Sequence, residues 1–477
     1  MDPYGLYDNP LVTRYASPEM AELFSPRTRI RTWRRLWVAL AEAERELGLG
    51  VTEEQVAELR AHVDDVDFAE AERIEAQVRH DVMAHIRAYG VQCPKARGII
   101  HLGATSAYVV DNADLLILRD ALRETRRKLV NVLDALARFA RAHRDLPTMG
   151  LTHLQPAQVT TVGRRACLWA QEALLDLAEL DFVEGSLRFL GAKGAIGTQA
   201  SFLALFQGDE EKVLELDRRV SEKMGFPSAF RVTGQTYTRK LDARALAALS
   251  SIAQSATKFA NDVRILQSRR EIEEPFEEEQ VGSSAMAYKR NPMRSERICS
   301  LGRLVISNAQ NGAWTAASQW FERTLDDSAN KRVAMAEGFL AADGMLILWL
   351  DVAGGLAVRP AMIAKNLRDE LPFLATEEVL MLGVKAGGDR QELHERIRRH
   401  SMAAVERLKS GESNDLMERI GKDAAFSAVA PRLPELLDAR RHVGRAPAQV
   451  DEFLREEVEP VLAHHKALLG LKAAVRV

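Results

Sequence analysis

The stretch DLLILRDALRETRRKLVNVLDALARFARAHR, residues 114–144, decides the fold class because it forms one unbroken helical pattern. Leucines recur along it at the three- and four-residue spacing of one helix face, with Arg, Lys and Glu between them. Without a glycine or proline to interrupt it, the helix would be roughly 45 Å long at 1.5 Å per residue. A helix of this length predicts a bundle or the core of an oligomer. The leucines on this face are Leu115, Leu118, Leu122, Leu129, Leu133 and Leu136.

Three further long helices are predicted at 164–190, 242–272 and 294–319, with glycine and proline between them. Signals for β-hairpins are nearly absent. Several helices of this length in one chain indicate an all-α protein with a central multi-helix bundle. Shorter helices on either side place the domain boundaries near residues 108 and 360. The expected domains are an N-terminal helical domain 1–108, a central long-helix domain 109–360 and a C-terminal helical domain 361–477.

The composition fits a large folded chain with little net charge. Of the 477 residues, 47% are apolar, and 65 Lys and Arg stand against 68 Asp and Glu, which gives a formal charge of -3. This balance provides no overall attraction to nucleic acid or to an acidic membrane. The N-terminus lacks the basic start and apolar run of a signal peptide, and the apolar stretch near 345–350 is short for a membrane span. We therefore expect a soluble, cytoplasmic protein.

The cysteines indicate the redox compartment of the protein, and the apolar helix faces indicate whether it forms an oligomer. Cys93, Cys167 and Cys299 have no metal-binding spacing, so free, buried thiols in a reducing compartment are expected. Leu and Ala cover more than one side of residues 243–260. This pattern favours helices buried against other subunits, and the alternative is a large monomeric core.

Several common catalytic motifs are missing. The chain has no HExxH and no GxSxG, and His80 and His85 lie five residues apart, off a common helix face. Residues 191–198, GAKGAIGT, resemble a phosphate loop superficially, but they lack the Gly-Lys-Ser/Thr ending and follow a helix. Metal, nucleoside triphosphate and hydrolase chemistry are therefore poorly supported.

The loop GSSAMAYKRNP, residues 282–292, has the most unusual composition in the chain. Taken alone, it is most simply a polar loop in which Pro292 opens the next helix. The functional interpretation is a mobile active-site loop. A serine can act as a base only if cations and backbone N–H groups stabilise its alkoxide, and Lys289 and the loop amides could do so. Gly282 could serve as the hinge.

The stretch LTHLQPAQ, residues 151–158, lies in the break between two long helices. His153 could act as a general acid there. Taken alone, a hydrogen-bonded structural histidine is the more common explanation.

Two further segments carry groups that suit an anionic ligand. Arg79-His80-Asp81 and Thr105-Ser106 combine Arg and His with hydroxyls, although a surface charge mixture and helix caps would explain them equally. The segment 321–332 is either a solvated charged turn or part of a cationic cluster. The cations that could gather for a multiply anionic ligand are Arg294, Arg297, Arg323, Lys331 and Arg332.

With these residues identified, the chain resembles the fumarase/aspartase superfamily. Residues 282–292 are similar to its signature Gly-Ser-Ser-x-Met-Pro-x-Lys-x-Asn-Pro at every defined position but one, where Ala287 replaces the proline and removes a rigid φ. Within the superfamily, the chain resembles the adenylosuccinate lyases over nearly its full length. The segments that carry this likeness are 13–20, 79–85, 152–158, 234–237 and 320–328.

The resemblance implies an all-α, three-domain fumarase/aspartase-type fold with a central long-helix bundle. It implies elimination of fumarate from adenylosuccinate, giving AMP, and from the succinylated aminoimidazole carboxamide ribotide (SAICAR), giving AICAR, as a lyase of purine biosynthesis. His153 would be the acid, Ser283 the base, and Lys289 would stabilise the serine and a substrate carboxylate. Substrate would be bound by Arg14, Tyr15, Arg79, His80, Asp81, Thr105, Ser106, Gln235, Arg297, Arg323, Ser328 and Arg332.

The resemblance also implies a homotetramer whose active sites each take segments from three subunits, with no metal, no organic cofactor, no nucleic acid and no membrane involved. Three other functions stay open on the sequence alone. They are a sister lyase acting on a substrate such as argininosuccinate, a non-catalytic helical scaffold, and an interaction module built on the basic residues 294–303.

Overall fold

The computed structural model describes residues 5–277 and 279–476. Four short strands accompany the helices: β1 Pro147–Thr152, β2 Gln155–Thr161, β3 Ile272–Glu273 and β4 Ala357–Val358. The α-helices are α1 Pro18–Leu23, α2 Pro26–Glu46, α3 Glu53–Ala61, α4 Phe68–Val78, α5 Asp81–Gln92, α6 Ser106–Ala142, α7 Val162–Ser186, α8 Ala200–Leu205, α9 Glu210–Lys223, α10 Lys240–Ser268, α11 Met293–Ala317, α12 Asp327–Gly355, α13 Pro360–Arg368, α14 Leu371–Leu374, α15 Thr376–Lys385, α16 Arg390–Lys409, α17 Leu416–Lys422, α18 Ala446–Phe453 and α19 Glu459–His464.

The central bundle consists of α6, α7, α10, α11 and α12. This confirms the expected all-α class and the four predicted long helices, whose ends move by one to four residues, except that α6 begins eight residues earlier than predicted. Large aromatic side chains join the helices in the middle of the bundle. Trp169 on α7 meets Phe259 on α10 edge-on at 5.1 Å between ring centroids, and Phe259 lies 5.8 Å from Trp349 on α12. These buried rings fix the bundle that supports the candidate site.

Two glycines on α11 allow the bundle helices to approach closely. A Cβ at Gly302 would lie 2.3 Å from Thr257 Oγ1, and one at Gly312 would lie 2.9 Å from the Cα of Ala243. Both contacts are on α10, and any larger side chain would push the two helices apart. The close packing of α10 and α11 therefore depends on these two positions.

Helix α12 was not predicted, although it is central to the core. Its length and mean hydropathy of 1.6 satisfy the criteria for a membrane span, so the apolar stretch is longer than residues 345–350 suggested. However, 78% of this apolar window is buried inside the protein. Packing on all sides accounts for a helix that is hydrophobic all round.

A second hydrophobic core lies in the C-terminal part of the chain and is formed by residues between 375 and 436. Val379, Leu393, Ile420 and Phe426 belong to it. The later residues Val450, Leu454 and Val458 instead pack into the main core. The proposed three-domain division stays a prediction.

A β-hairpin follows α6, although hairpin signals are nearly absent from the sequence. Strands β1 and β2 pair antiparallel from Pro147 opposite Thr161 to Thr152 opposite Gln155. The connection is the two-residue turn His153-Leu154. The buried Met149 and Val159 anchor the hairpin by packing with Leu367 and Leu371, which lie in and after α13.

Candidate functional site

His153 lies at the exposed tip of the β1–β2 hairpin. Its φ is 55° and that of Leu154 is 57°, so both turn residues adopt the left-handed conformation of a type I′ turn. Asn and Gly normally fill these positions because a larger residue is strained there. The His153 side chain is exposed at this tip.

Ser283 lies at the start of the loop 282–292, just before α11. Its Oγ accepts hydrogen bonds from the backbone N–H of Met286 at 3.1 Å and of Ala285 at 3.3 Å. These donors form a small nest that would stabilise negative charge on the oxygen. Two loop amides thus donate to this serine, and their role in stabilising an alkoxide stays a prediction.

The two ends of the same loop are held together. Asn291 donates from Nδ2 to the carbonyl of Gly282 at 2.9 Å, and Gln267 on α10 donates to the carbonyl of Arg290 at 3.0 Å. A Cβ at Gly282 would lie 2.2 Å from the carbonyl oxygen of Lys289, so only glycine fits here. The Lys289 side chain is exposed, as is Ala287 at the position of the family's proline.

One group of predicted substrate-binding residues comes together where α5 and α6 begin. His80 caps α5, and its Nε2 lies 3.4 Å from the Oγ of Ser106, the first residue of α6. Arg332 on α12 forms an ion pair with Asp81 at 3.3 Å between Nη2 and Oδ2. Thr105 holds the N-cap position of α6 without making the capping bond from its side chain, so its hydroxyl is not used as a cap.

The same region includes Arg79, which ends α4 with φ 52°, a left-handed conformation. Its side chain is exposed beside His80. Together with Arg332, it supplies positive charge next to two hydroxyls, which is the composition expected for a phosphate or carboxylate site.

A second group forms around residues 234–235 and the segment that precedes α12. The N–H of Gln235 donates to the carbonyl of Glu322 at 2.9 Å, and a Cβ at Gly234 would lie 2.4 Å from the same oxygen. Arg323 and Gly234 line a cleft of about 230 Å³. Ser328 occupies the first turn of α12, in sequence between Arg323 and the Arg332 of the first group.

The N-terminal residues Arg14 and Tyr15 end a short π-helical segment, Leu11–Tyr15, which packs against α12. The guanidinium of Arg297 on α11 lies 5.9 Å from the centre of the Tyr15 ring. Arg14 is exposed beside it. These three residues therefore form a third group.

Two cations that the sequence analysis grouped with this site are used internally, which corrects that part of the interpretation. Arg294 is buried and pairs with Asp351 at 2.7 Å. Lys331 pairs with Asp114 at 2.6 Å and donates to Tyr237 Oη at 3.2 Å. Arg294 and Lys331 are 8% and 11% exposed, against 25% for Arg323 and 56% for Arg332, so their charges are more enclosed by protein.

A buried charge network between α6 and α12 was not predicted from the sequence. The guanidinium of Arg239 donates to Asp111 at 2.9 and 3.2 Å and to Asp327 at 2.6 Å. Tyr237 donates from its hydroxyl to Asp242 at 2.6 Å, and burial raises the pKa of both groups. One sequence signal could have indicated this network: charged residues stand at positions of core helices where apolar residues are expected.

Two other histidines near the site are structural. Burial lowers the pKa of His101 to about 4, and its Nδ1 accepts a hydrogen bond from Trp37 at 3.0 Å. Burial, with Arg34 and Arg29 nearby, lowers the pKa of His85 to about 4. Both rings are therefore neutral at pH 7. Within 5–277 and 279–476, no group of three or more His, Cys, Asp or Glu has the arrangement of a metal site.

The candidate residues lie on different elements of the chain, namely the β1–β2 hairpin, the loop before α11 and the segments around the starts of α5, α6 and α12. Across the described residues, no hydrogen bond or ion pair connects the His153 turn with the 282–292 loop, or either of them with the His80 and Gln235 groups. The acid candidate, the base candidate and the binding groups are thus carried by separate parts of the protein.

Family comparisons agree along nearly the whole chain. A family model described as Lyase matches residues 14–306, and one described as Adenylosuccinate lyase C-terminus matches residues 372–453. The chain is 51% identical to an adenylosuccinate lyase of Saccharomyces cerevisiae over 467 residues, which is 97% of each chain. It is 50% identical to one of Schizosaccharomyces pombe over 473 residues, which is 98% of each chain.

Solved structures show the same fold. A fumarate lyase from Mesorhizobium sp. superposes with a TM-score of 0.80 at 27% identity, covering 94% of this chain and 100% of that one. A 3-carboxy-cis,cis-muconate lactonizing enzyme from Pseudomonas putida gives a TM-score of 0.81 at 23% identity, covering 97% of this chain and 100% of that one.

Proposed function

This chain belongs to the adenylosuccinate lyase family of the fumarase/aspartase superfamily, and from that premise we propose that it eliminates fumarate from adenylosuccinate, leaving AMP, and from SAICAR, leaving AICAR. The protein is a lyase. The observation that carries the reaction is the near-full-length identity of 51% to a curated adenylosuccinate lyase.

Ser283 is the proposed base. The proton that it removes, from the β-carbon beside a carboxylate, is weakly acidic, and its removal shifts negative charge onto that carboxylate. The N–H groups of Ala285 and Met286 point at Ser283 Oγ and would support an alkoxide there. Lys289 would approach the serine and the carboxylate when the loop closes over substrate.

His153 is the proposed acid. The C–H electron pair forms the new C=C bond of fumarate while the C–N bond breaks and its electrons leave with the amine nitrogen. A nitrogen anion is a poor leaving group, so a proton from His153 must meet it. The exposed position of the imidazole at a hairpin tip supports this role, because the ring is not committed to a structural hydrogen bond within the described chain.

The substrate carries a phosphate and two carboxylates, while the chain has a formal charge of -3. Local cations must therefore do the binding. Arg79, Arg323 and Arg332 supply this charge near hydroxyls that can donate to the same oxygens. We assign the remaining binding contacts to Arg14, Tyr15, His80, Asp81, Thr105, Ser106, Gln235, Arg297 and Ser328.

The separation of these groups supports a homotetramer with active sites built from three subunits. The outer face of α7 supports it too. Leu168, Leu175 and Phe182 recur at seven-residue spacing on that helix and are 45%, 63% and 64% exposed in the single chain. A row of large apolar side chains along one face of a long helix suits packing against another copy. The cytoplasmic location stays a prediction.

A direct product assay tests the reaction. Purified protein incubated with adenylosuccinate should release AMP and fumarate in equal amounts, followed by chromatography, and should leave argininosuccinate unchanged in a parallel reaction. Cleavage of argininosuccinate in place of adenylosuccinate would favour the sister lyase. A folded protein that cleaves neither would favour the scaffold, and Ala287 would be the first position to restore to proline.

Subunit mixing tests the shared site. Ser283→Ala and His153→Ala should each lower turnover by several orders of magnitude without changing the assembly. When the two inactive proteins exchange subunits, some sites receive an intact serine and an intact histidine, so part of the activity should return. Exchange that is proven by mass tags but restores no activity would contradict composite sites.

A further inference from the structure

Arg239 connects two helices that both carry substrate-binding groups. It lies just before α10, and its side chain is 2% exposed. Its Nη1 and Nη2 donate to the carboxylate of Asp111 on α6, and its Nε donates to Asp327, the first residue of α12. The N–H of Tyr237 donates to Asp111 as well, at 3.1 Å.

These contacts close a ring of polar links around the first binding group. Ser106 and Asp111 lie five residues apart on α6, and Asp327 and Arg332 lie five apart on α12. On one side the two helices are joined through Asp111, Arg239 and Asp327. On the other they are joined across the start of α5, where His80 contacts Ser106 and Asp81 pairs with Arg332.

The energetic cost of breaking the buried side of the ring is high. Asp111 and Asp327 are 1% and 2% exposed, so without Arg239 both would be poorly compensated buried charges, Asp111 keeping only the N–H of Tyr237 and Asp327 only Arg323 Nη2 at 3.9 Å. One guanidinium reaches both carboxylates because its N–H groups point in several fixed directions, although Oδ1 of Asp327 accepts no hydrogen bond among the described residues. An ammonium group is a compact donor on a flexible chain, and it cannot reproduce this planar geometry.

We propose that Arg239 is a positioning residue for nucleotide binding, which holds the start of α12, with Arg323, Ser328 and Arg332, at a fixed distance from the start of α6. This inference rests on the proposed function. Arg239 touches no acid or base candidate, because His153 and Ser283 lie on the hairpin and the loop. Its loss should therefore weaken binding of the nucleotide more than it slows the chemical step.

The test compares Arg239→Lys with wild type in two measurements. One is steady-state cleavage of adenylosuccinate, and the other is the Kd of AMP from isothermal titration calorimetry. We expect KM and the AMP Kd both to rise about tenfold, as for loss of a charge-assisted hydrogen bond, with kcat changed by less than about threefold. The matched control is Arg126→Lys. Arg126 is 12% exposed and joins α6 to α7 through Asp181 at 2.8 Å and through Glu184, away from the binding groups.

Three results would overturn the inference: unchanged KM and AMP Kd in Arg239→Lys, a fall in kcat alone, or an equal rise in both constants in Arg126→Lys. If Arg239→Lys does not fold, Asp327→Asn removes one link while keeping the helix start, and it should raise the AMP Kd in the same direction; an unchanged Kd there also overturns the inference. Failure of the proposed function is distinguishable, since wild type would then neither cleave adenylosuccinate nor bind AMP.

Discussion

Glu44 lies on the buried side of α2 with 0% of its surface exposed, and neither carboxylate oxygen has a hydrogen-bond partner among the described residues. Burial raises the pKa of this group to about 9 from its ordinary value of 4.5. The folded protein therefore keeps Glu44 protonated at neutral pH, while the unfolded chain ionises it. The perturbation that removes this linkage is Glu44→Gln, a neutral side chain of nearly the same shape.

The sign and size of the effect follow from the two pKa values. Below pH 4.5, Glu44 is protonated in both the folded and the unfolded protein, and its contribution to the free energy of unfolding is fully present. As the pH rises from 4.5 toward 9, the unfolded chain releases this proton while the folded protein keeps it, so the free energy of unfolding falls. At 1.36 kcal/mol per pKa unit, the loss is about 3 kcal/mol at pH 7 and about 5 kcal/mol at pH 8.5. Gln does not titrate, although its unpaired amide would cost roughly 1–3 kcal/mol at every pH.

The expected result is a crossing of two stability curves, measured as apparent Tm by differential scanning fluorimetry at one scan rate from pH 5 to pH 8.5. Glu44→Gln should be less stable than wild type at pH 5 and more stable at pH 8.5, with the difference in Tm changing by roughly 5 °C or more. The control is Glu42→Gln on the same helix, where the carboxylate is paired with Arg60 and Lys223 and no crossing is expected. Parallel curves for wild type and Glu44→Gln would refute the reasoning.

Three other predictions concern the site and the thiols. Gly282→Ala should lower kcat about a hundredfold, because the new Cβ would collide with the Lys289 carbonyl and misplace the loop, while Gly185→Ala, where a Cβ meets nothing within 4 Å, should keep normal kinetics. Burial raises the pKa of Cys93 to about 12, so native protein at pH 8 should resist iodoacetamide at this residue and react only in denaturant, as mass spectrometry would show. Leu154→Gly should have an apparent Tm at least equal to that of wild type and Leu154→Val a lower one, because φ is 57° at this position.

The sequence predicted helices well where apolar residues repeat on one face. Helix α6 was identified because its leucines recur without interruption, although it begins eight residues earlier than predicted, at Ser106. Helix α12 was missed for the opposite reason. Residues 338–350 are buried on nearly every side, so the helical period of apolar and polar residues is absent. Periodicity indicates an amphipathic helix and does not reveal one enclosed by others.

The sequence predicts which residues belong to the candidate site, but it does not predict how they are arranged in space. Motif likeness proposed Ser283, His153 and the binding groups, and local chemistry explained why such residues would suit an anionic substrate. Which cations remain available could not be predicted, because partners such as Asp351 for Arg294 are distant in sequence. Arg239 and Asp111 are 128 positions apart, and no local pattern links them.

The hairpin turn was the hardest element to predict, and the role proposed for His153 accounts for the difficulty. A type I′ turn favours Asn-Gly, and a chain that followed this preference would have signalled the hairpin clearly. Asn at position 153 would satisfy the backbone but supply no acid, so the proposed reaction requires the less favourable His153. The turn tolerates two strained residues, at about 1–2 kcal/mol each, because Met149 and Val159 anchor the strands in a buried cluster. If His153 is the acid that we propose, the strain at this tip reflects a chemical requirement that overrides local preference, and sequence rules fail there for that reason.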